Sequence, residues 1–509
     1  MTNTVNNKRI AKNTLILYIR MLFTMGVSLF TSRVILQVLG VEDYGIYNVV
    51  GGIVSMFTFL NGGMISATQR YLTFEIGKGD WGRLSKVFST SIQIHALIAL
   101  VIVLLSETVG LWFLFEKLVI PDGRMIAAFW VYQCSILACV VGIMSVPFNA
   151  DIIAHEKMSA FAYISVAEVT LKLLIVYLLY VSQWDKLIIY SMLTLLVQLL
   201  ICWIYARYCS DHFPESHYRH NIDKSLFKEM FSFAGWSFWG NLAGVLYTQG
   251  LNMMLNIFYG PIVNAARGIA VQVQGAVQQF VSNFQLALNP QITKSYAVGN
   301  LSQMQNLMFC SARFSFFLLF FLTLPILLET EFLLTIWLKT IPSDVVVFTR
   351  WMIGISLIYT IANPCVIANQ ATGNVKFYQT VVGCILLFIL PISYIVLKLG
   401  APAYSVFVVH FCIESFAQVA RMYMLRKLIN LPIHSYIRHI YIPIISVVVI
   451  SCILPFYVHN QFSNGLIRFL IVSLTCVMSV GSTVFLLGLT KDERIFFLNT
   501  VLALIRTIK

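Results

Sequence analysis

Six basic side chains fall inside long apolar runs of this chain: Arg20, Arg33, Arg70, Lys172, Arg267 and Arg313. A charge in such surroundings is costly, so each needs a reason. Arginine suits anion binding, because its fork grips phosphate or carboxylate oxygens bidentately and stays protonated. The six differ in position. Lys172 follows Glu168 by four residues, which predicts an intrahelical ion pair. Arg313 lies near the end of its run, where its stem can carry the charge to the headgroups. Arg70 is placed to bind an anion or to anchor its run, about a turn and a half from the end. Arg20 and Arg33 are on different helical faces and share one cavity only if the helix bends near Gly26. Arg267 is the strongest candidate. It heads a polar stripe of Gln274, Gln278 and Gln285 on one helical face. Lipid would reject that stripe; a wet lumen or a hydrogen-bonded helix seam would accept it. The preceding run carries a matching stripe of Ser237, Asn241, Thr248 and Asn252. Among the acidic residues, Glu414, Glu168 and Asp151 are candidates for carrying H+ or Na+, with Glu75 a further carboxylate at membrane depth. Glu414 follows His410 by four residues, a relay or pair spacing.

The elements that must position these residues follow from composition. The 509 residues are 59% hydrophobic and only 11% charged, against about 25% charged in a soluble domain. The apolar surplus must face lipid, so length converts into spans of about 20 residues each. About fourteen such runs follow one another, the first near residues 13–38 and the last near 466–489. The first run is too long for a signal peptide and is expected to stay as a helix. No hydrophilic connection is long enough for a soluble domain. The net charge is +13, but there is no dense basic cluster interleaved with aromatics for nucleic acid. With the N-terminus placed inside, 21 Lys and Arg fall on the cytoplasmic side and seven outside. That balance closes with an even number of helices and both termini cytoplasmic. The ten cysteines form no C-x-x-C pair and have no histidine at metal spacing, so no metal or other cofactor is expected.

An internal repeat divides the chain. The stretch from Gly40-Val41 to Gly79-Asp80 resembles that from Gly260-Pro261 to Gly299-Asn300, an offset of 260 − 40 = 299 − 79 = 220. Further on, Pro147 precedes the turn Ala154-His155-Glu156-Lys157 as Pro364 precedes Ala371-Thr372-Gly373-Asn374, an offset of 364 − 147 = 217. Six runs separate corresponding points, so the halves have the same orientation. The expected fold is all-α and integral to the membrane: an N-terminal lobe over 1–206, a cytoplasmic linker over 207–225, a C-terminal lobe over 226–427, and two last helices with a tail over 428–509. Parallel repeats of this kind are a transporter architecture.

The run Arg33-Val-Ile-Leu-Gln-Val-Leu-Gly40-Val-Glu-Asp-Tyr44-Gly45-Ile-Tyr-Asn, followed by Arg70-Tyr71 and Gly77-Lys-Gly-Asp80, resembles polysaccharide repeat-unit flippases of the multidrug/oligosaccharidyl-lipid/polysaccharide exporter superfamily. The resemblance covers the first twelve helices. It implies a V-shaped cavity between two lobes, alternating access, a bacterial inner-membrane location and a monomer. The implied substrate is an undecaprenyl-diphosphate-linked oligosaccharide for O-antigen, capsule or exopolysaccharide, with polysaccharide polymerase or ligase machinery as possible company. On that reading Arg267, Arg20, Arg33 and Arg70 become candidates for the diphosphate, and the two polar stripes suit sugar hydroxyls. Tyr44, Tyr47, Trp236 and Trp239 offer aromatic faces on which sugars stack; core packing and interfacial belts are the competing use of such rings.

Other readings fit less well. A multidrug exporter of the same superfamily would want an acidic pocket for cationic drugs. A polysaccharide polymerase or ligase would carry one large outer loop, which is missing here. A membrane scaffold leaves the arginines and stripes without a purpose. No phosphate-binding G-x-x-x-x-G-K-[ST] run, no H-E-x-x-H and no G-x-S-x-G is present.

Overall fold

The computed structural model describes residues 2–57, 61–116, 118, 120–121, 123–219, 223–338 and 344–495, with a few side chains, Arg33 among them, outside the description. Every regular element among these residues is helical. We number them α1 Thr2–Phe57, α2 Gly62–Lys78, α3 Trp81–Glu116, α4 Met125–Ala154, α5 Met158–Val181, α6 Lys186–His212, α7 Lys224–Tyr259, α8 Pro261–Ala297, α9 Leu301–Leu328, α10 Thr330–Leu338, α11 Val345–Thr372, α12 Lys376–Lys398, α13 Ser405–Ile429, α14 Ile433–Gln461 and α15 Leu466–Gly488.

Nine of these are both long and apolar enough to cross a membrane, and they include α3 to α6, α9, α11, α12, α14 and α15. The other expected spans lie on α1, α2, α7, α8 and α13. Those helices are less apolar because they carry the candidate residues: Arg20 and Arg33 on α1, Arg70 on α2, the two polar stripes on α7 and α8, and Glu414 on α13.

Turns punctuate the chain where the repeat predicts them. Gly40 breaks α1 with φ 81° and ψ 169°, separating residues 2–39 from 41–57. Gly260 has φ 79° just before the α8 proline, and both positions need the conformational freedom of glycine. Gly79 and Gly299 end their helices at φ 74° and 76°, the usual left-handed cap. The third pair, Glu156 and Gly373, is left-handed in both halves at φ 59° and 79°. A fourth pair emerges from the structure alone: Gly123 at φ 83° and Asp344 at φ 69°.

The chain forms two compact units. Unit one holds Met1–Leu242, Leu286–Leu301 and Gln370–Gly383; unit two holds Ala243–Gln285, Ser302–Asn369 and Cys384–Lys509. Helices α7, α8 and α12 therefore each contribute to both.

In unit one, a core of Met64, Tyr71, Leu84, Phe88, Met230 and Phe233 joins α2, α3 and α7. A Cβ on Gly63 would lie 2.4 Å from the Ala234 carbonyl oxygen, so α2 and α7 approach as small residues allow. A π turn at Ser106–Gly110 interrupts α3. There the Ser106 carbonyl accepts both the Leu111 amide, in the wider π spacing, and the Tyr132 hydroxyl at 2.6 Å. Asp185 caps α6 by accepting from the Leu187 and Ile188 amides at 3.0 and 3.2 Å. It also accepts from Arg124, whose fork bonds Asp43 as well. Burial pushes the Asp185 carboxyl up, but Arg124 and the helix amides outweigh it and leave the group below the usual carboxylate range.

In unit two, Leu251, Leu255, Ala266, Phe348, Ile389 and Phe407 form the core. Helix α9 is its most enclosed apolar helix, mostly buried within the protein, whereas α15 is mostly exposed. Hydropathy barely separates the two, because lipid and a packed interior are equally apolar. The wholly buried Glu329 ties α14 and α15 to the end of α9: His459 Nδ1 lies 2.9 Å from one carboxylate oxygen and Arg468 donates to the other at 2.8 Å.

Candidate functional site

Arg70 is buried on α2, one residue before the core tyrosine Tyr71. Its guanidinium carbon lies 4.4 Å from the Tyr71 ring centre and 4.5 Å from that of Phe74. These ring faces hold a cation without consuming its donors. One terminal nitrogen donates to the Ala371 carbonyl at 3.0 Å, and Nε has no hydrogen-bond partner. The left-handed turn at Gly373 brings the start of α12 alongside. There Lys376 Nζ stands 4.9 Å from the Trp236 ring centre.

Arg70, Lys376 and Trp236 line one cavity of about 440 Å³ within unit one, with Ser232 and Asn374 adding a hydroxyl and an amide. The cavity holds one carboxylate, Glu229. Its two oxygens are engaged by the Tyr71 hydroxyl at 3.0 Å and by Arg83 at 3.4 Å. Two cations, a partly satisfied acid and an indole face suit a ligand that is anionic at one end and carries sugar-like hydroxyls at the other. A neighbouring cavity of about 570 Å³ shares Glu229 but balances Arg83, Lys86 and Arg219 against Asp80, Asp223 and Glu229.

Arg267 lies in unit two, buried on α8. Its fork donates to the Asn252 side chain and, at 3.2 Å, to the Thr248 carbonyl. The structure thus brings together three candidates from the two stripes. Asn252 in turn donates to Gln249 at 3.0 Å. The rest of the α8 stripe faces neighbouring helices. Gln274 donates to Ser356 Oγ at 2.8 Å; Gln285 donates to Ser315 Oγ at 3.0 Å and to the Thr360 carbonyl at 3.2 Å, and accepts from Asn363. Gln278 is half-buried, and its carbonyl oxygen has no hydrogen-bond partner. Earlier on α7, in unit one, Ser237 is buried with its hydroxyl unbonded, while Asn241 is exposed. Arg20 is half-buried, 4.6 Å from the Phe161 ring centre, and donates to Ser165 Oγ at 3.4 Å. The Arg33 side chain lies outside the described residues.

The profile of the family described as polysaccharide biosynthesis protein matches residues 10–295, more than half of the chain. The chain belongs to the polysaccharide biosynthesis protein family. No curated protein sequence matches it significantly. Solved structures agree on the fold of this family member. An outward-facing multidrug resistance MATE family transporter of the MOP superfamily aligns at TM-score 0.69 and 14% identity, covering 83% of this chain and 96% of the other. A MATE protein in the bent conformation aligns at 0.71 and 13%, covering 84% and 96%. A MOP superfamily transporter from Pyrococcus furiosus aligns at 0.64 and 14%, covering 83% and 96%. This polysaccharide biosynthesis protein therefore shares the fold of those MATE and MOP-superfamily structures, and nine of its described helices are long and apolar enough to cross a membrane.

The charged candidates within spans of this family member have defined partners. Glu168 pairs with Lys172 at 2.6 Å, as the spacing predicts. Glu414 pairs with Arg421 at 2.7 Å rather than with His410, whose ring meets Tyr247 edge-on at 5.1 Å. Seven residues is two helical turns, so Glu414 and Arg421 share a face and both are buried. Arg313 does not reach out to headgroups; it is buried and pairs with Glu493, in the helical residues 491–495 that follow α15. Glu75 pairs with Arg83 at 3.2 Å. Asp151 accepts from Ser216 at 2.8 Å. Tyr47 packs edge-on against Tyr190 at 4.8 Å, and Trp239 is exposed. Sequence reasoning passed over Lys376, counting it among cytoplasmic charges. Its signal was local: a lysine two residues after the repeated Gly373-Asn374 turn is fixed in place by the start of α12.

Proposed function

We propose that this transporter moves an undecaprenyl-diphosphate-linked oligosaccharide repeat unit from the inner to the outer leaflet of a bacterial inner membrane by alternating access, for assembly of O-antigen, capsule or exopolysaccharide. The observation that supports this most is the cavity that gathers Arg70, Lys376 and Trp236. Arg70 and Lys376 take diphosphate oxygens through charge-assisted hydrogen bonds, and Trp236 offers its face to the first sugar. Arg267, with Arg20 and Arg33, provides further cationic stations along the chain. Movement against a gradient is coupled to H+ or Na+ through one of Glu414, Glu168 and Asp151. The transporter works as a monomer and hands its substrate to polymerase or ligase machinery.

A multidrug exporter is the alternative that the MATE neighbours raise. Among the described residues, the only carboxylate lining the Arg70 cavity is already engaged by Tyr71 and Arg83, which leaves little to attract a cationic drug. The Pyrococcus furiosus protein is itself described as having a binding pocket of reverse polarity that suggests a different function.

Cells lacking the gene separate the two readings. Lipid-linked repeat units are expected to accumulate at the inner leaflet, with loss of surface polysaccharide that the gene restores. Normal surface polysaccharide with reduced drug or dye efflux would replace the flippase reading by the exporter.

A further inference from the structure

The ends of α4 and α6 are joined by a cluster that includes Asp151, and metal binding there would leave Glu414 and Glu168 as the coupling candidates. Asp151 lies in the last turn of α4, His155 immediately follows that helix, and Glu215 sits in the 3-10 turn Pro214–Ser216 after α6. One ligand atom from each falls within 4.8 Å of the others. His155 Nε2 is 2.5 Å from a Glu215 oxygen and 3.8 Å from Asp151 Oδ1. The imidazole is held in plane by stacking on Phe213, with ring centres 4.1 Å apart and planes within 6°.

Charge and hydrogen bonding make the cluster suited to a cation. Asp151 is 0% exposed. Its Oδ2 accepts from Ser216 at 2.8 Å, while Oδ1 faces the cluster with no hydrogen bond. Glu215 is also buried. Among the described residues, the only ion-pair partner of either carboxylate is His155 itself. Two buried carboxylates sharing one imidazole carry negative charge that burial makes costly. A divalent cation removes it. One imidazole nitrogen with two carboxylate oxygens is a donor set that zinc accepts, with a fourth position left for water. Calcium and magnesium prefer oxygen alone, so the histidine selects a transition metal.

We propose that Asp151, His155 and Glu215 bind one divalent transition metal ion of the zinc type, clipping the α4–α5 turn to the connection between α6 and α7. The three ligands come from two segments about sixty residues apart in sequence, so no local motif announces them.

The test is metal counting on the tag-free, full-length chain in detergent, stripped with a chelator and dialysed against micromolar Zn2+. The native chain is expected to retain about one Zn2+ and to unfold at higher temperature with Zn2+ than without. His155→Ala and Glu215→Gln are expected to weaken binding by roughly tenfold or more, while His212→Ala, on the neighbouring helix surface, leaves it unchanged. A native chain that retains no Zn2+ and shows no thermal shift overturns the proposal, because protons then balance the carboxylates. Undiminished binding in folded His155→Ala overturns it equally.

Discussion

Replacing both Arg70 and Lys376 by alanine is expected to reduce surface polysaccharide at least tenfold, with the chain still present in the membrane. The size follows from the contacts removed. A hydrogen bond to a charged group contributes about 1.5–3 kcal/mol, or roughly 10- to 100-fold in affinity. Two cations are lost from one cavity of about 440 Å³, and no described carboxylate there gains by their absence, since Glu229 keeps its bonds to Tyr71 and Arg83. Arg70→Lys is expected to fall between, because it keeps the charge and loses the fork. Lys376→Ala alone guards against misfolding, since Lys376 faces Trp236 at the helix start whereas Arg70 is buried among rings. Arg267→Ala is a separate arm. It is expected to stop display while the chain remains, and disappearance of the chain would reduce Arg267 to a tie between α7 and α8. The checks are polysaccharide at the surface and chain in isolated membranes. Normal display from the double variant would remove the Arg70 cavity from the transport path.

Glu414→Gln is expected to destabilise the protein by about 3–5 kcal/mol, the usual cost of breaking a buried ion pair. Both side chains of the Glu414–Arg421 pair are only 4% exposed, and their contact is 2.7 Å. Replacing both members by apolar residues, Glu414→Leu with Arg421→Met, is expected to restore most of the lost stability, since no buried charge then stands alone. Unfolding of purified variants in detergent measures both. A Glu414→Gln protein as stable as the native chain would mean that the Glu414–Arg421 ion pair contributes nothing net to stability. The pair also bears on coupling: a carboxylate so firmly engaged must release Arg421 before it can carry an ion, so transport by the double variant reports directly whether Glu414 is used.

Most of the fold was legible because lipid imposes simple rules. Apolar length sets the spans, and the repeat offset placed the left-handed turns at Gly40, Gly79, Gly260, Gly299 and Gly373. The Gly123 and Asp344 pair was not visible, because aspartate gives no sign that it will take the glycine conformation. The Glu168–Lys172 pair was readable from its spacing. The Glu414 pairing was not, since His410 at four residues and Arg421 at seven share its face and packing against Tyr247 decides between them. The α8 stripe was legible as a stripe, but whether Gln274 and Gln285 meet water or protein depends on Ser356 and Ser315, which lie on two other helices, α11 and α9. The Arg70 cavity needs three segments to converge, α2, α7 and the turn before α12, which no single window of sequence contains.

The most direct test is reconstitution. Purified protein in sealed vesicles would be given a short-chain polyprenyl-diphosphate oligosaccharide in one leaflet, and its arrival in the other would be timed. Transfer well above that of protein-free vesicles, falling to their level with the Arg70 and Lys376 double alanine variant, is the result expected of a diphosphate-lipid flippase. Transfer no faster than in protein-free vesicles, in preparations that move a cationic dye, would contradict it.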